Sequence, residues 1–213
     1  MTRRIVVVSG GLSEPSTTRL LADRLAASVE KSLTDERLIV GRQVDGLEVS
    51  VVELRDVARD ITDALLTRVP SAALQTVIDA VTSADGLVAV SPVFNASYSG
   101  LFKSFFDVLD ADDLAGTPVL IAATGGTERH SLALEHALRP LFSYLHALVV
   151  PTAVFAATSD WGSREYSARL SARIDRATGE LARLVAEAPA VAQPTDPYDD
   201  PTPFEELLFG SPS

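Results

Sequence analysis

The stretch Ser91-Pro92-Val93-Phe94-Asn95-Ala96-Ser97-Tyr98-Ser99-Gly100-Leu101-Phe102-Lys103 decides how the chain is read. The apolar run before it, Gly86-Leu87-Val88-Ala89-Val90, is uninterrupted and short, as expected of a parallel strand buried on both faces. Beyond it, Leu101, Phe102, Phe105, Phe106 and Leu109 recur at helical spacing. A proline, an asparagine, several hydroxyls and a glycine separate strand from helix. Such a loop exposes backbone donors and acceptors at the carboxyl end of a strand, where open α/β sheets bind their ligands. An ordinary βα turn uses the same residue types, so this segment alone leaves both readings open.

The same arrangement occurs at the start of the chain. Ile5-Val6-Val7-Val8 is a buried-type strand, and Leu20, Leu21, Leu25, Val29 and Leu33 mark the following helix. Between them, Ser9, Ser13, Ser16, Thr17 and Thr18 place five hydroxyls in ten residues, with Gly10 and Gly11 beside them. Free backbone N–H groups and the dipole at a helix start favour an anion, and hydroxyls add neutral donors. The loop has no lysine, so it is not a nucleoside-triphosphate loop, and the Gly-x-Gly-x-x-Gly fingerprint is absent. A plain helix N-cap accounts for one hydroxyl; five in one loop favour a phosphate.

A third instance follows Val119-Leu120-Ile121-Ala122-Ala123, where the strand ends in Thr124-Gly125-Gly126-Thr127-Glu128-Arg129-His130. The segments between complete the pattern. Residues 34–46 are polar and irregular, and Leu47, Val49, Val51, Val52 and Leu54 give the second strand. Residues 55–67 read as loop with a short helical piece. Pro70 reads as the first residue of a helix carrying Leu74, Val77, Ile78 and Val81. Residues 148–155 form the fifth strand, Thr158 to Ser163 a loop packed around Trp161, and Tyr166 to Val185 a covering helix. The alternation predicts an α/β fold, a doubly wound five-stranded parallel sheet with helices on both faces. In a sheet of order 2-1-3-4-5, the order expected here, the three hydroxyl-bearing loops lie side by side at the switch point.

Composition sets the outer bounds. A net charge of −11 argues against nucleic acid and anionic membrane surfaces as partners. The absence of cysteine removes disulfides, thiolate nucleophiles and Cys-ligated metals, and only three histidines argue against a histidine-rich metal centre. No apolar run approaches the ~20 residues that span a bilayer, and the N-terminus lacks a signal peptide's apolar region. The expectation is a cytoplasmic protein. From Pro189 the character changes: the last 25 residues hold six of the twelve prolines, five acidic residues and no basic one. Residues 1–188 therefore read as one domain and 189–213 as an acidic, proline-rich tail. Within the tail, 202–210 carries the signature of a short helix with Phe204, Leu207 and Leu208 on one face. It reads either as a docking piece or as part of a solubilising tether.

Ser91-Pro92-x-x-Asn95-x-Ser97-x-x-Gly100-x-x-Lys103 resembles the second flavin loop of the NADPH-dependent FMN reductases, a family of flavodoxin-like fold. The resemblance implies that Pro92, Val93, Phe94 and Asn95 lie along the edge and face of an isoalloxazine ring. Gly10-Gly11-x-x-x-x-Ser16-x-Thr18 is similar to the family's first loop, with Gly11 standing where a serine is usual. It implies Gly11, Ser13, Ser16, Thr17 and Thr18 as a cradle for the FMN 5′-phosphate. Thr124-Gly125-Gly126-x-x-x-His130 resembles the loop over the ring's pyrimidine end, where glycine permits close backbone approach. Arg129 and His130 then face NADPH phosphates or the flavin, or are surface residues of a helix start.

The activity implied is hydride transfer from NADPH to FMN, with no catalytic side chain and no metal, because the cofactor carries the chemistry. The resemblance also implies a homodimer or homotetramer and a partner flavin-dependent monooxygenase; His136 stands where some members place an interface tyrosine. A quinone or azo-dye reductase, a flavodoxin-like electron carrier and a non-catalytic FMN or NADPH sensor are alternatives on the same fold.

Overall fold

The computed structural model describes residues 2–35, 46–162 and 164–188. The tail from 189 onward, including the helix signature at 202–210, lies outside the described residues, as does most of the irregular stretch 34–46.

Strand β1 (Thr2–Ser9) is central, and its side chains divide with the period of two that a strand imposes. Ile5 and Val7 enter one core with Leu21, Leu25 and Val29 of helix α1 (Thr17–Thr34) and Leu170, Ile174 and Leu181 of the last helix. Val6 and Val8 enter the other core, with Leu54, Ile61, Leu74, Phe102 and Phe142. Strand β2 (Gly46–Glu53) pairs with β1 in parallel, Ser9 facing Glu53. A 3-10 turn, Leu54–Val57, then leads into helix α2 (Ala58–Thr67), where the sequence suggested mainly loop. Its apolar stripe is thin, Ile61, Ala64 and Leu65 among charged neighbours, continued by Val57 of the turn, but at helical spacing it suffices to seat the helix on the core.

Helix α3 (Ala72–Thr82) starts two residues later than the proline predicts. Ser71 is its N-cap, the hydroxyl accepting from Leu74 N at 3.2 Å, and Pro70 stands just outside. Strand β3 (Gly86–Phe94) follows, with Ile5 beside Gly86 and Ser9 beside Val90. Its end turns back as a two-residue strand, β4 (Ser97–Tyr98), antiparallel to β3. Helix α4 (Gly100–Phe106) is capped by Ser99.

Strand β5 (Pro118–Gly125) lies beside β3 in the register Pro92 to Thr124. A 3-10 turn at Glu128–His130, a π-helical turn at Leu134–Leu138 and helix α5 (Arg139–Tyr144) follow. The predicted fifth strand is two: β6 (Leu148–Val149) and β7 (Val154–Ala157), both parallel to β5. Pro151, which has no N–H, falls in the gap. A 3-10 turn at Thr158–Trp161 and helix α6 (Arg164–Glu187) close the described fold. Trp161 packs on the α1–α6 core with Arg24 over its ring at 4.6 Å. Five strand positions thus run in the expected 2-1-3-4-5 order, the fifth shared by β6 and β7, and β4 is an addition. This is the flavodoxin-like arrangement.

Candidate functional site

The carboxyl ends of β2, β1, β3 and β5 stand in a row, so Glu53, Ser9, Pro92 and Thr124 mark one edge of the sheet. The loops after β1, β3 and β5 are fastened to one another there. Gly10 N donates to Val90 O at 2.8 Å, joining the first loop to β3. Ser99 Oγ donates to Gly10 O at 3.2 Å and accepts from Phe102 N, so the residue that starts α4 also holds the first loop. Ser91 Oγ accepts from Ser99 N at 3.0 Å. Thr18 and Thr124, both buried, share a hydroxyl–hydroxyl bond of 2.8 Å between the first and third loops. Neither Ser91 nor Ser99 was singled out as a site residue from sequence, although both sit in the segment that decided the fold.

In the first loop, Gly11 is buried, Ser13 and Thr17 are exposed, and Ser16 is half-buried. Ser16 Oγ accepts from Arg19 N at 3.2 Å as the N-cap of α1, leaving its own proton available. Thr18, expected as a phosphate contact, instead turns inward onto Thr124, so it joins loops and the outward donors are Ser13, Ser16 and Thr17. The glycine at 11 has a local reason: a Cβ there would lie 2.4 Å from Ser16 Oγ and 3.1 Å from Thr18 Cβ. A Thr18→Val substitution keeps the shape but strands the buried Thr124 hydroxyl. We expect it to lower the unfolding free energy by about 1–3 kcal/mol, read by urea denaturation.

The second loop is a hairpin in which Val93 faces Tyr98 and Phe94 faces Ser97. Its two central residues, Asn95 (φ 48°) and Ala96 (φ 71°), are both left-handed, as a type I′ turn needs. Asparagine tolerates this region; alanine is strained in it. The turn lifts Phe94 and Asn95 into the open, Phe94 remaining 46% exposed, while Pro92 is buried beneath them and Val93 is intermediate.

In the third loop the two glycines differ. A Cβ on Gly125 would lie 2.8 Å from Phe155 Cζ, so that glycine serves packing beneath the loop. A Cβ on Gly126 would meet nothing within 4 Å, so its bare face is open. Thr127 caps the 3-10 turn through Arg129 N at 3.2 Å. Arg129 and His130 are exposed on that turn. Glu128 accepts from Ser159 Oγ at 2.6 Å, tying the loop to the turn after β7, and that bond holds its carboxyl below the ordinary value. We expect Ser159→Ala to return the Glu128 carboxyl upward in an NMR titration. The tie is complete above the free carboxyl's range and is lost as pH falls through the depressed value.

Beside the first loop, Glu53 holds Arg19 NH1 at 2.6 Å and Arg55 Nε at 3.1 Å. Asp23 and Glu53 together raise the Arg19 guanidinium above its ordinary value. Sequence reading missed Glu53 and Arg55, because nothing in the spacing of a strand end and the turn after it marks a contact with residue 13. Among the described residues no cluster of His, Asp or Glu is placed to hold a metal ion, and no helix is long and apolar enough to cross a membrane.

The residues fit a flat anionic cofactor. Hydroxyl donors and a helix N-terminus suit a phosphate, and an exposed hairpin tip and a glycine whose face is unobstructed suit the approach of a planar ring. Fold and site together define the class of flavodoxin-like flavin-binding proteins. The chain matches the NADPH-dependent FMN reductase family over residues 3–162. It is 42% identical to an FMN reductase (NADPH) of Pseudomonas aeruginosa, over 85% of this chain and 91% of that one. It is also similar to a solved oxidoreductase of Corynebacterium diphtheriae, with 48% identity, a TM-score of 0.81, and coverage of 88% of this chain and 99% of that one. An apo NADH:FMN oxidoreductase (EmoB) has 28% identity, a TM-score of 0.72, and coverage of 93% and 99%. The chain belongs to the NADPH-dependent FMN reductase family.

Proposed function

We propose that this protein is a flavin reductase that transfers hydride from a reduced nicotinamide dinucleotide, NADPH first among them, to FMN. The observation that supports it most is the joining of three loops at adjacent strand ends by buried bonds, Thr18 to Thr124 and Ser99 to Gly10, with other polar groups left facing outward. A scaffold pinned from below positions its outward donors without paying for order when the ligand arrives.

Each part of the chain has a role in this reading. Ser13, Ser16, Thr17 and the N-terminus of α1 hold the FMN 5′-phosphate, and Gly11 lets them close in. Pro92, Val93, Phe94 and Asn95 line the ring's edge and face. Thr124, Gly125 and Gly126 form the opposite wall, Thr124 and Gly125 from beneath and Gly126 at its surface. Arg129 and His130 stand at the rim for the donor's phosphates. Bound FMN supplies the hydride-accepting chemistry; the protein binds, orients the ring and shields one face from water. The assembly proposed is a homodimer or homotetramer in the cytoplasm, one FMN-binding unit over 1–188 followed by the tail, with reduced flavin passing to a small acceptor or a flavin-dependent monooxygenase.

The test is FMN titration of the purified protein followed by NADPH and NADH oxidation with and without added FMN. Micromolar or tighter binding with turnover supports the reading. Binding without turnover favours a carrier or sensor, and absence of FMN binding refutes the three-loop site.

A further inference from the structure

The first loop has an external support. Arg55 is the second residue of the 3-10 turn after β2, and its NH1 donates to the Ser13 carbonyl at 3.3 Å and to Glu14 Oε2 at 3.4 Å. Among the described residues, these are the only hydrogen bonds made by residues 12–15. Arg55 is itself fixed from the other side. Its Nε lies 3.1 Å from Glu53 Oε2 without a hydrogen bond in line, a charge contact at a nitrogen that is otherwise buried. The other oxygen of Glu53 takes Arg19 NH1 at 2.6 Å. The Arg19 amide, in turn, is the N–H that Ser16 caps. One carboxylate, only 11% exposed, thus connects the middle of the loop to the helix start where the loop ends.

We propose that the Glu53–Arg55 pair is a positioning strut for the first loop and sets the preference for FMN over riboflavin. Arg55 acts through the Ser13 carbonyl and Glu53 acts through Arg55 and Arg19; neither touches flavin. The proposal rests on the reading that this loop takes the 5′-phosphate. Its logic is preorganisation. A loop with no internal hydrogen bonds loses freedom when it closes on a phosphate, and a strut that holds it closed beforehand removes that cost.

A strut and a direct electrostatic effect predict opposite results at Glu53. Removing a negative charge near a phosphate site strengthens anion binding if the charge acts directly. Removing a strut weakens it. The experiment uses the full-length protein and measures FMN and riboflavin dissociation constants by flavin fluorescence for wild type, Glu53→Gln, Arg55→Lys and Arg55→Ala. Wild type should prefer FMN. Glu53→Gln and Arg55→Ala should each reduce that preference by about tenfold or more, the scale of one charge-assisted hydrogen bond, with riboflavin affinity unchanged. Arg55→Lys keeps the charge but cannot span both partners, so it should fall in between. Should Glu53→Gln fail to fold, the split between lysine and alanine at Arg55 carries the test.

Retained preference in the Arg55 variants, or tighter FMN binding by Glu53→Gln, overturns the strut. No preference for FMN in the wild type overturns the phosphate reading instead, so the two failures are distinct.

Discussion

Phe102→Ala is expected to lower the unfolding free energy by about 3–5 kcal/mol, the range for emptying a buried aromatic site. Phe102 is fully buried at the first turn of α4. Its ring centroid lies 4.8 Å from that of Phe106, 6.0 Å from Tyr98 and 6.3 Å from Phe142. It therefore links the helix, the hairpin of the second loop and α5. It also supports the first loop, because a Cβ at Gly10 would come within 3.0 Å of its ring. The cavity left by alanine opens under two of the three loops, so flavin affinity should fall along with the urea midpoint. Phe105→Ala provides the comparison: it is equally buried, its recorded ring contact is with Phe106 alone, and no glycine of the first loop is pressed against it. Stability should fall in both variants, and flavin affinity in the folded protein should fall mainly in Phe102→Ala. Equal flavin losses in the two would show that Phe102 has no special hold on the loops.

The two glycines of the third loop give the second large effect, through a contrast. Gly126→Val should leave stability within about 0.5 kcal/mol, as for an open surface position. It should weaken FMN binding by tenfold to about a hundredfold, because a branched side chain fills the face the ring would take. Gly125→Val should do the reverse. Its side chain is driven into Phe155, 2.8 Å from the nearest ring atom, and overpacking of that kind costs about 1–3 kcal/mol. Urea denaturation and flavin titration of both variants separate the cases. Unchanged FMN affinity in Gly126→Val would falsify the placement of the ring over this loop.

The contrast also shows where sequence reading stopped. The doublet Gly125-Gly126 marks a loop that requires small residues, but consecutive residues at a strand end point to opposite sides. Which glycine serves packing and which leaves an open face depends on the register of β5 against β7. The same holds for Thr17 and Thr18, roughly 100° apart around α1: composition nominates both hydroxyls, and helix phase sends one outward and the other to Thr124. Buried strands were legible because β-branched runs such as Ile5–Val8 have few other ways to fold; the parallel sheet followed from the alternation, and its order from the resemblance to a flavodoxin-like family. The hairpin β3–β4 was not legible, since Asn95-Ala96 lacks the glycine that usually announces a left-handed turn. Helix α2 was hidden by its charged residues, and Pro151 divides a run whose apolar composition reads as continuous. Contacts such as Arg55 to Ser13 join residues 42 positions apart, beyond the reach of any local pattern.

The division of the last strand position into β6 and β7 bears on whether a foreign strand can add at this edge of the sheet. A long, straight edge strand offers a row of unpaired N–H and C=O groups, a template for adding a foreign strand and growing an aggregate. Here that border has only two and four residues in ladder geometry. Pro151 contributes no donor in between, and Arg139 occupies two acceptors there by donating to Val150 O at 3.1 Å and Pro151 O at 3.2 Å. Glu135 holds that arginine in place with two bonds of 2.6 and 3.0 Å. This border of the sheet is therefore blunted against strand addition, and self-association there has to proceed through side chains, not through a continued ladder.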